Sequence, residues 1–332
     1  MDVVIRGDGI AANCCAHLLL RAGVRVALDP VNRPKLPAVM LGEQALALIR
    51  DVFEQPRLLD NLPRIEKRVV AWGPGASPLT VEHSAVIVSE EALLAAIRPP
   101  LVPKCDLSGE AGWTVFAARQ LPAPSIEYSF GSRTASTIPV RLNDNADPAT
   151  CWIESLEDGW LFLIPAAARD AWLLAIGESP ESLLASSTVA AAQIAECGAP
   201  SATFPACARI ASPLCGADWL ACGPAAMAFD PICGDGTAHA IREAILAAAV
   251  IRAVANGGAV GDLLSHYEAR LTAAFRRHLM LCRNFYESGG TTPLWRSEVE
   301  AIDHGTHWCE ARLSNTADFR YRLRGFELEA VR

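Results

Sequence analysis

The sequence predicts an α/β protein with a Rossmann-type nucleotide-binding fold, an inserted antiparallel β-sheet domain and C-terminal helices. Three observations predict this fold. A strand, a glycine turn, a helix and a second strand follow one another at the start of the chain. A second glycine-rich turn precedes a long apolar helix near residue 236, and short β-like runs separated by Gly, Pro and Asp fill the stretch between the two turns. With 332 residues, 51% of them hydrophobic, the chain is large enough to enclose a core and a cofactor.

The N-terminal βαβ unit is visible in the spacing of apolar residues. Residues 3–5 and 24–28 are short apolar runs typical of strands, and residues 11–22 place apolar side chains at helical spacing. Gly23 follows this helix, in the position where glycine commonly ends one. We therefore expect two parallel strands joined by a helix.

The turn inside this unit reads GDGIAA and matches the pattern GxGxxA. Gly7 permits the tight turn, Gly9 lets a pyrophosphate approach the backbone, and Ala12 keeps the helix close to the strand. Asp29 ends the next strand, where a carboxylate can bind a ribose hydroxyl. Because the start of a helix also attracts anions, the sequence predicts a dinucleotide site, with a glycine turn that binds nothing as the structural alternative.

The remaining elements continue this pattern along the chain. The predicted helices are 43–54, 90–98, 237–256 and 260–287, and the predicted strands are 69–72, 85–88, 113–116, 137–140, 151–154 and 161–164. We expect a discontinuous cofactor domain formed by residues 1–104 and 211–290. Residues 105–210 would form a β-rich substrate domain, whose strands include 113–116, and the tail 291–332 would pack on both.

Charge and hydropathy exclude several classes of partner. The formal net charge is −8 without a basic block, so we expect no nucleic-acid partner. The richest apolar stretch, 244–253, is about half the roughly 20 residues that a bilayer span needs, so we expect no membrane segment. Residues 1–5 enter a strand at once and do not resemble a secretory signal.

The cysteines and histidines indicate no metal. Eleven cysteines are scattered along the chain without a CxxC pair, and we interpret them as buried thiols in a cytoplasmic, reducing compartment. His304, His307, Cys309 and Glu310 carry donor atoms suited to zinc, but their spacing matches no familiar site. We therefore assign no metal ligands.

The second glycine-rich element covers residues 222–237 and reads CGPAAMAFDPICGDGT. It resembles the second FAD motif of flavoprotein monooxygenases and flavin-dependent halogenases, where a Gly-Asp start reaches the ribityl chain and an Asp-Pro…Gly-x-Gly turn lies against the flavin ring. A glycine turn that opens a helix offers N–H groups and a positive dipole end to a reduced flavin. The resemblance implies FAD contacts from Gly223, Asp230, Pro231, Gly234, Asp235, Gly236 and Thr237.

Two shorter stretches strengthen the resemblance. Residues 41–44, LGEQ, are similar to a Gly-Glu strap in halogenase-like flavoproteins, which implies FAD contacts from Glu43 and Gln44. Residues 159–165, GWLFLIP, resemble the Trp-x-Trp-x-Ile-Pro signature of that family, with Phe162 at the second Trp. Trp160 and Phe162 would then line a substrate pocket, although core packing explains Trp160 equally well and Phe162 better.

Within this superfamily, residues 83–90, 230–244 and 267–290 are most similar to small flavoproteins that mature quinoprotein amino-acid oxidases and amine dehydrogenases. Those proteins oxidise a protein Trp toward cysteine tryptophylquinone. The resemblance implies a glutathione-reductase-like FAD-binding fold and an FAD-dependent monooxygenase. Such an enzyme takes electrons from NAD(P)H or a partner reductase, uses O2 and hydroxylates an aromatic substrate, here a Trp in a partner protein or peptide.

Two positions depart from the family pattern. Pro224 replaces the Asp of the Gly-Asp start, so Asp230 or Asp235 would have to supply the ribityl contact. Halogenases carry an essential Lys shortly before a Trp, and the residue four before Trp72 is Arg68, a poor replacement for an amine that must carry a halogen. We therefore place a flavin-dependent tryptophan halogenase second. A non-catalytic protein that escorts an unmodified precursor is the alternative from another class.

Two residues are candidates for catalysis. Arg68 would provide a charge near the flavin ring, and His239, just inside the helix after the second turn, is placed for proton transfer. The structural alternatives are an exposed strand residue for Arg68 and a helix-capping or surface residue for His239.

Overall fold

The structure is a computed structural model that describes residues 1–97, 112–314 and 320–331. Its helices are α1 Ile10–Arg21, α2 Glu43–Phe53, α3 Glu90–Ala96, α4 Pro180–Ser186, α5 Gly236–Ala255, α6 Val260–Gly289 and α7 Pro293–Leu313. Its strands are β1 Asp2–Arg6, β2 Arg25–Asp29, β3 Val39–Gly42, β4 Arg64–Ala71, β5 Leu79–Val88, β6 Trp113–Phe116, β7 Ile126–Phe130, β8 Thr134–Leu142, β9 Thr150–Leu156, β10 Gly159–Ala167, β11 Asp170–Gly177, β12 Ile194–Cys197, β13 Ala202–Pro205, β14 Ala208–Ser212, β15 Cys215–Gly216, β16 Trp219–Ala221, β17 Met227–Ala228, β18 Tyr321–Arg324 and β19 Glu327–Ala330.

A five-stranded sheet forms the Rossmann half of the protein, with the strand order β15-β16-β6-β1-β2. β1 pairs in parallel with β2 and with β6, and β6 pairs in parallel with β16. The predicted βαβ unit is confirmed. The assignment of residues 113–116 to the inserted antiparallel sheet was wrong, because this strand lies beside β1. Its sequence, WTVF, is a short apolar run, and such a run does not indicate the direction of its partner.

A nine-stranded sheet forms the other half. β8, β11, β10 and β9 pair with one another in antiparallel fashion, as expected for the middle of the chain. β4 joins this sheet by pairing in parallel with β9, and β5 and β3 extend it. The sheet thus contains strands from both sides of the predicted boundary at residues 104 and 105. That boundary lies outside the described residues, and the division into two domains stays a prediction.

The helices pack over the Rossmann sheet and between the two halves. The main core includes α1, α5 and α6, and the helical predictions at 43–54, 237–256 and 260–287 are confirmed. The tail contains α7, whose Trp295 donates a hydrogen bond to Leu156 O at 3.1 Å, and β19, whose Glu327 pairs with Arg252 of α5 at 2.6 Å. No helix in the described part of the chain is long and apolar enough to cross a bilayer.

Candidate active site

The first glycine turn connects β1 to α1. Gly7 has a φ of +136°, and its N–H donates a hydrogen bond to Asp29 O at 2.8 Å. A Cβ at Gly7 would lie 3.1 Å from the carbonyl carbon of Ala117, so the turn leaves little room for a side chain. Gly9 precedes α1, no side chain among the described residues caps this helix, and its first turn is free of acidic residues. The N–H groups at the start of α1 therefore suit an anion.

Two cations that the sequence analysis did not single out lie beside this turn. A Cβ at Gly9 would lie 3.1 Å from Nη2 of Arg33, which forms an ion pair with the buried Glu90. Lys35 binds Asp8 at 2.6 Å. Single basic residues in a proline-broken loop follow no periodic pattern, which is why sequence reasoning missed them.

Ala12 and Asp29 occupy the positions that the motif requires. Ala12 is fully buried between α1 and the sheet. Asp29 ends β2, with its side chain 61% exposed and 3.9 Å from Nε of Arg6. A carboxylate at this exposed strand end can accept a hydrogen bond from a ribose hydroxyl.

The second motif begins directly against the first. Gly223 has a φ of +58°, and a Cβ there would lie 2.7 Å from Cβ of Ala11. Its N–H donates a hydrogen bond to Oε2 of Glu243 at 2.7 Å, and burial raises the pKa of this carboxyl well above its usual value. The carbonyl of Pro224 accepts a hydrogen bond from Arg209 at 2.8 Å. The structure therefore brings the two predicted motifs together at α1.

The Gly-x-Gly turn leads into α5. Gly234 has a φ of +63°, and a Cβ there would lie 3.2 Å from Cε of Met40 and 4.0 Å from Nη2 of Arg68. Asp235 is the N-cap residue of α5 but forms no side-chain cap, and its carboxylate instead pairs with Arg242 at 2.9 Å. The helix begins at Gly236 and continues through Thr237, so the positive end of its dipole lies at this turn. Pro231 begins the short 3-10 turn that precedes Gly234.

Arg68 lies at the centre of this region. Its Nη2 is 3.0 Å from Nε2 of His83, and its guanidinium carbon is 5.5 Å from the centre of the Phe162 ring. Burial and the neighbouring Arg68 lower the pKa of His83 to about 4, although Glu43 opposes this shift. The imidazole is therefore neutral near pH 7 and can accept a hydrogen bond from Arg68.

The start of α2, which contains Glu43 and Gln44, contacts α5. Gln44 Oε1 accepts a hydrogen bond from Arg242 Nη2 at 3.2 Å, and Glu43 occupies the first turn of α2. Arg68 thus lies beside His83, Phe162 and Gly234. Glu43 interacts electrostatically with His83. The structure brings these predicted residues together around one region.

His239 lies one turn into α5. Its ring stacks on Phe229, with 3.9 Å between ring centres and 16° between planes, and its Nε2 is 3.6 Å from Oδ2 of Asp235. Burial lowers the pKa of His239 to about 4, against the opposing effect of Asp235. The imidazole is therefore neutral near pH 7, and its low pKa makes it a weak base that Asp235 would have to stabilise once protonated.

Asp230 and Trp160 lie apart from this region, in a buried polar network. Arg133 donates a hydrogen bond to Asp230 Oδ2 at 2.8 Å and also pairs with Glu298. Tyr286 donates to the same Asp230 oxygen at 3.0 Å and accepts a hydrogen bond from Trp160 Nε1 at 3.1 Å.

The other Asp230 oxygen accepts from the N–H of Ile232 at 2.9 Å, so both oxygens of this fully buried carboxylate are bound by protein groups. That arrangement leaves Asp235 as the better placed substitute for the missing ribityl carboxylate. Trp160 is fully buried and Phe162 is 5% exposed, so packing accounts for Trp160 in this arrangement. Arg133, Tyr286 and Glu298 come from three distant segments, and no local pattern predicts such a network.

The residues present fit FAD. Gly223 lets the second motif pack closely against Ala11 of α1, and Gly9 leaves the backbone at the start of α1 open. The uncapped start of α1 supplies N–H donors for a pyrophosphate. The start of α5 and Arg68 supply positive charge at the second turn. Donors of this kind suit a diphosphate at one end and an electron-rich ring at the other.

Comparison with solved structures bears on the fold. CmlS, a flavin-dependent halogenase, superposes with a TM-score of 0.74 over 94% of this chain and 71% of its own, at 16% identity. The chain has the fold of flavin-dependent halogenases and hydroxylases. QhpG, a peptidyl tryptophan dihydroxylase essential for tryptophylquinone cofactor biogenesis, gives 0.69 over 99% of this chain and 86% of its own, at 19% identity. Aklavinone-11 hydroxylase, solved with FAD and aklavinone, gives 0.63 over 87% and 69%, at 16% identity.

The predicted fold class and the structural resemblance to this superfamily are confirmed. Neither a family model nor a curated protein sequence matches the chain. At such low identity the shared feature is the fold, and the chemistry has to be argued from the site.

Proposed function

We propose that this protein is an FAD-dependent monooxygenase that hydroxylates an aromatic substrate. The observation that carries the proposal is the joining of two glycine motifs at α1, with Arg68 beside the second turn, where a Cβ added at Gly234 would lie 4.0 Å from its Nη2. A structural glycine turn alone requires neither the second motif nor a half-buried cation beside it. The likeness to QhpG and to aklavinone-11 hydroxylase supports hydroxylation as the reaction.

The protein groups divide the binding of FAD between them. The N–H groups of α1 would hold the pyrophosphate, and Asp29 would accept a hydrogen bond from the adenosine ribose. The turn from Gly234 to Thr237 and Arg68 would stabilise negative charge at the flavin ring. When bound, FAD supplies the redox chemistry with oxygen. His239, neutral near pH 7, would hold a proton only transiently at Nε2, where Asp235 Oδ2, 3.6 Å away, would stabilise the charged ring.

The finer part of the proposal concerns the substrate and the electron donor. We infer a tryptophan side chain in a partner protein or peptide, because residues 83–90, 230–244 and 267–290 resemble flavoproteins that modify protein-bound Trp. QhpG, which acts on peptidyl tryptophan, supports the same substrate class. Electrons would come from a nicotinamide nucleotide or from a partner reductase.

One observation favours hydroxylation over halogenation. Consecutive strand residues point to opposite faces of a sheet. Arg68 of β4 faces Phe162 and Gly234, whereas Lys67 is exposed. Lys67 therefore lies on the face of β4 turned away from the second FAD turn, where an amine cannot present a halogen to a substrate near the flavin. CmlS supports halogenation through its fold alone.

The first experiment is to add FAD to the purified protein, remove unbound FAD by gel filtration and record the visible spectrum. NADPH is then added without oxygen. Retained flavin bands that bleach are expected. The reduced enzyme is then given oxygen and either tryptophan or a tryptophan-containing peptide, with and without chloride. The mass of each product shows whether oxygen or halogen has been added. We expect oxygen insertion into the peptide in the absence of halide.

The alternatives give distinct outcomes. A protein that retains no flavin but binds an unmodified precursor would be an escort protein. A product that forms only with chloride or bromide would identify a halogenase. Retained flavin that NADPH does not bleach, but that a partner reductase does, would leave the hydroxylase proposal intact and assign the donor.

A further inference from the structure

Two thiols and an imidazole meet behind the second FAD turn. The Sγ atoms of Cys233 and Cys282 are 3.8 Å apart, which is van der Waals contact. Cys282 lies four residues after His278 on α6, and its Sγ is 3.3 Å from Nε2 of that histidine. All three ligand-type atoms lie within 4.8 Å of one another. This is the dithiol cluster, formed by Cys233, His278 and Cys282.

The hydrogen bonds of the cluster indicate a dithiol. His278 Nε2 accepts a hydrogen bond from the N–H of Asp230 at 2.9 Å, so this nitrogen carries no proton. Cys282 can donate its S–H to the same nitrogen, which turns a sulfur lone pair toward Cys233. A metal bound to Nε2 would have to break the backbone hydrogen bond from Asp230. The arrangement therefore suits sulfur–sulfur chemistry better than a metal ion.

The two cysteines differ in access. Cys233 is partly exposed, whereas Cys282 is 1% exposed. An oxidant in solution would reach Cys233 first, and Cys282 would then be the resolving thiol. An accessible thiol beside a second one is the usual arrangement of a reversible redox pair.

We propose that Cys233 and Cys282 form a reversible disulfide when the protein meets a peroxide, and that this bond ties the second FAD turn to α6. Cys233 ends the 3-10 turn Pro231–Cys233 and is followed directly by Gly234. A disulfide requires about 2.05 Å between the sulfurs, so the two Sγ atoms must approach by roughly 1.8 Å, through side-chain rotation and movement of the turn toward α6. The bond would displace the glycine turn that the proposed function assigns to the flavin.

The chemistry balances with hydrogen peroxide as the oxidant. The thiolate of Cys233 attacks one peroxide oxygen, the O–O bond breaks, and hydroxide leaves to give a sulfenic acid on Cys233. Cys282 attacks that sulfur, and its S–H proton goes to the departing hydroxide. The S–S bond forms and the sulfenic oxygen leaves as water. In total, two thiols and one peroxide give one disulfide and two waters, and a small thiol reverses the reaction.

The test is a thiol count and a peptide map of the full chain before and after treatment with one equivalent of hydrogen peroxide. We expect the loss of two thiols and a cross-linked peptide pair containing Cys233 and Cys282, both reversed by dithiothreitol. The map uses the unmodified protein, so the test does not depend on a variant that folds. It also does not depend on FAD, so its failure is distinct from failure of the proposed function.

Variants and FAD binding complete the test. Cys233→Ser should lose the cross-link, and Cys197→Ser, which removes an exposed thiol elsewhere, should keep it. FAD should bind more weakly to the oxidised wild type and equally to both forms of Cys233→Ser. Equal FAD affinity in oxidised and reduced wild type would refute the link to the flavin turn. Oxidation of Cys197 while Cys233 and Cys282 remain free, or thiols protected until a chelator removes zinc, would overturn the disulfide itself.

Discussion

At the scale of single residues, the alternation of side chains along β4 separates two chemistries. Arg68 contacts His83 and approaches the second glycine turn, while Lys67 is exposed on the other face. A guanidinium beside the flavin would stabilise negative charge on its ring. One residue of register thus determines which cation faces the site.

Replacing Arg68 and Lys67 separately tests this arrangement. Arg68→Ala should lower kcat for aromatic hydroxylation by about tenfold to a thousandfold, because it removes a positive charge beside the ring. Lys67→Ala is the matched control and should change kcat little. Both are measured by product formation in halide-free buffer. No product from any variant in halide-free buffer, with a product in chloride that Lys67→Ala loses and Arg68→Ala keeps, would instead favour a halogenase.

Gly9 tests the first turn. Gly9→Val should release FAD, because a branched side chain would occupy the approach of the pyrophosphate and push against Arg33 Nη2, 3.1 Å from the added Cβ. FAD content after gel filtration measures the effect. Gly261→Val, on α6 with no atom within 4 Å of an added Cβ, is the control and should keep its FAD. A yellow Gly9→Val protein with full FAD content would refute the placement.

At the scale of elements, features that depend on residues close in the sequence could be predicted, and features that depend on contacts between distant segments could not. The helices α1, α5 and α6 could be predicted because each carries a long apolar period within one segment. β6 was misassigned because a four-residue, mostly apolar run does not specify which strand it pairs with. The network around Asp230 could not be predicted, since Arg133 and Glu298 are 165 residues apart. The two glycine turns could be predicted because each is a pattern within one short segment.

The buried ion pairs of Arg133 should contribute to the stability of the fold. Arg133 is buried and pairs with two buried carboxylates, Asp230 and Glu298. Arg133→Met should lower the free energy of unfolding by about 3–5 kcal/mol, because it leaves uncompensated buried charge. Arg283→Met, which removes the surface ion pairs with Asp303 and Glu287, should cost less than about 1 kcal/mol. Urea denaturation measures both, and similar costs would contradict the proposed importance of burial.

At the scale of the whole molecule, buried histidines couple folding to pH. Burial, with His239 and Arg133, lowers the pKa of His278 to about 3, and burial lowers that of His239 to about 4. An unfolded histidine titrates near 6.5. Between these values the unfolded chain binds protons that the folded chain does not, so stability falls as pH decreases from about 6.5 toward 3.

Replacing His278 measures this coupling. His278→Gln should be less stable near neutral pH, because packing changes, yet should lose less stability on acidification than the wild type. The free energy of unfolding, measured in urea across this pH range, gives the slope. His304→Gln, on an exposed position of α7, is the control. An unchanged slope in His278→Gln would show that other groups cause the acid sensitivity.

The parallel pairing of β4 with β9 also limits how this protein can be divided in the laboratory or in evolution. Five backbone partner pairs join a strand of the N-terminal segment to one from the middle of the chain. A shortened protein without residues 113–210 would expose the unpaired edge of β4 and the apolar faces of β3 and β5. Exposed edges of this kind recruit other chains. The β-rich half therefore shares its sheet with the N-terminal segment, and we expect a fragment cut between them to aggregate.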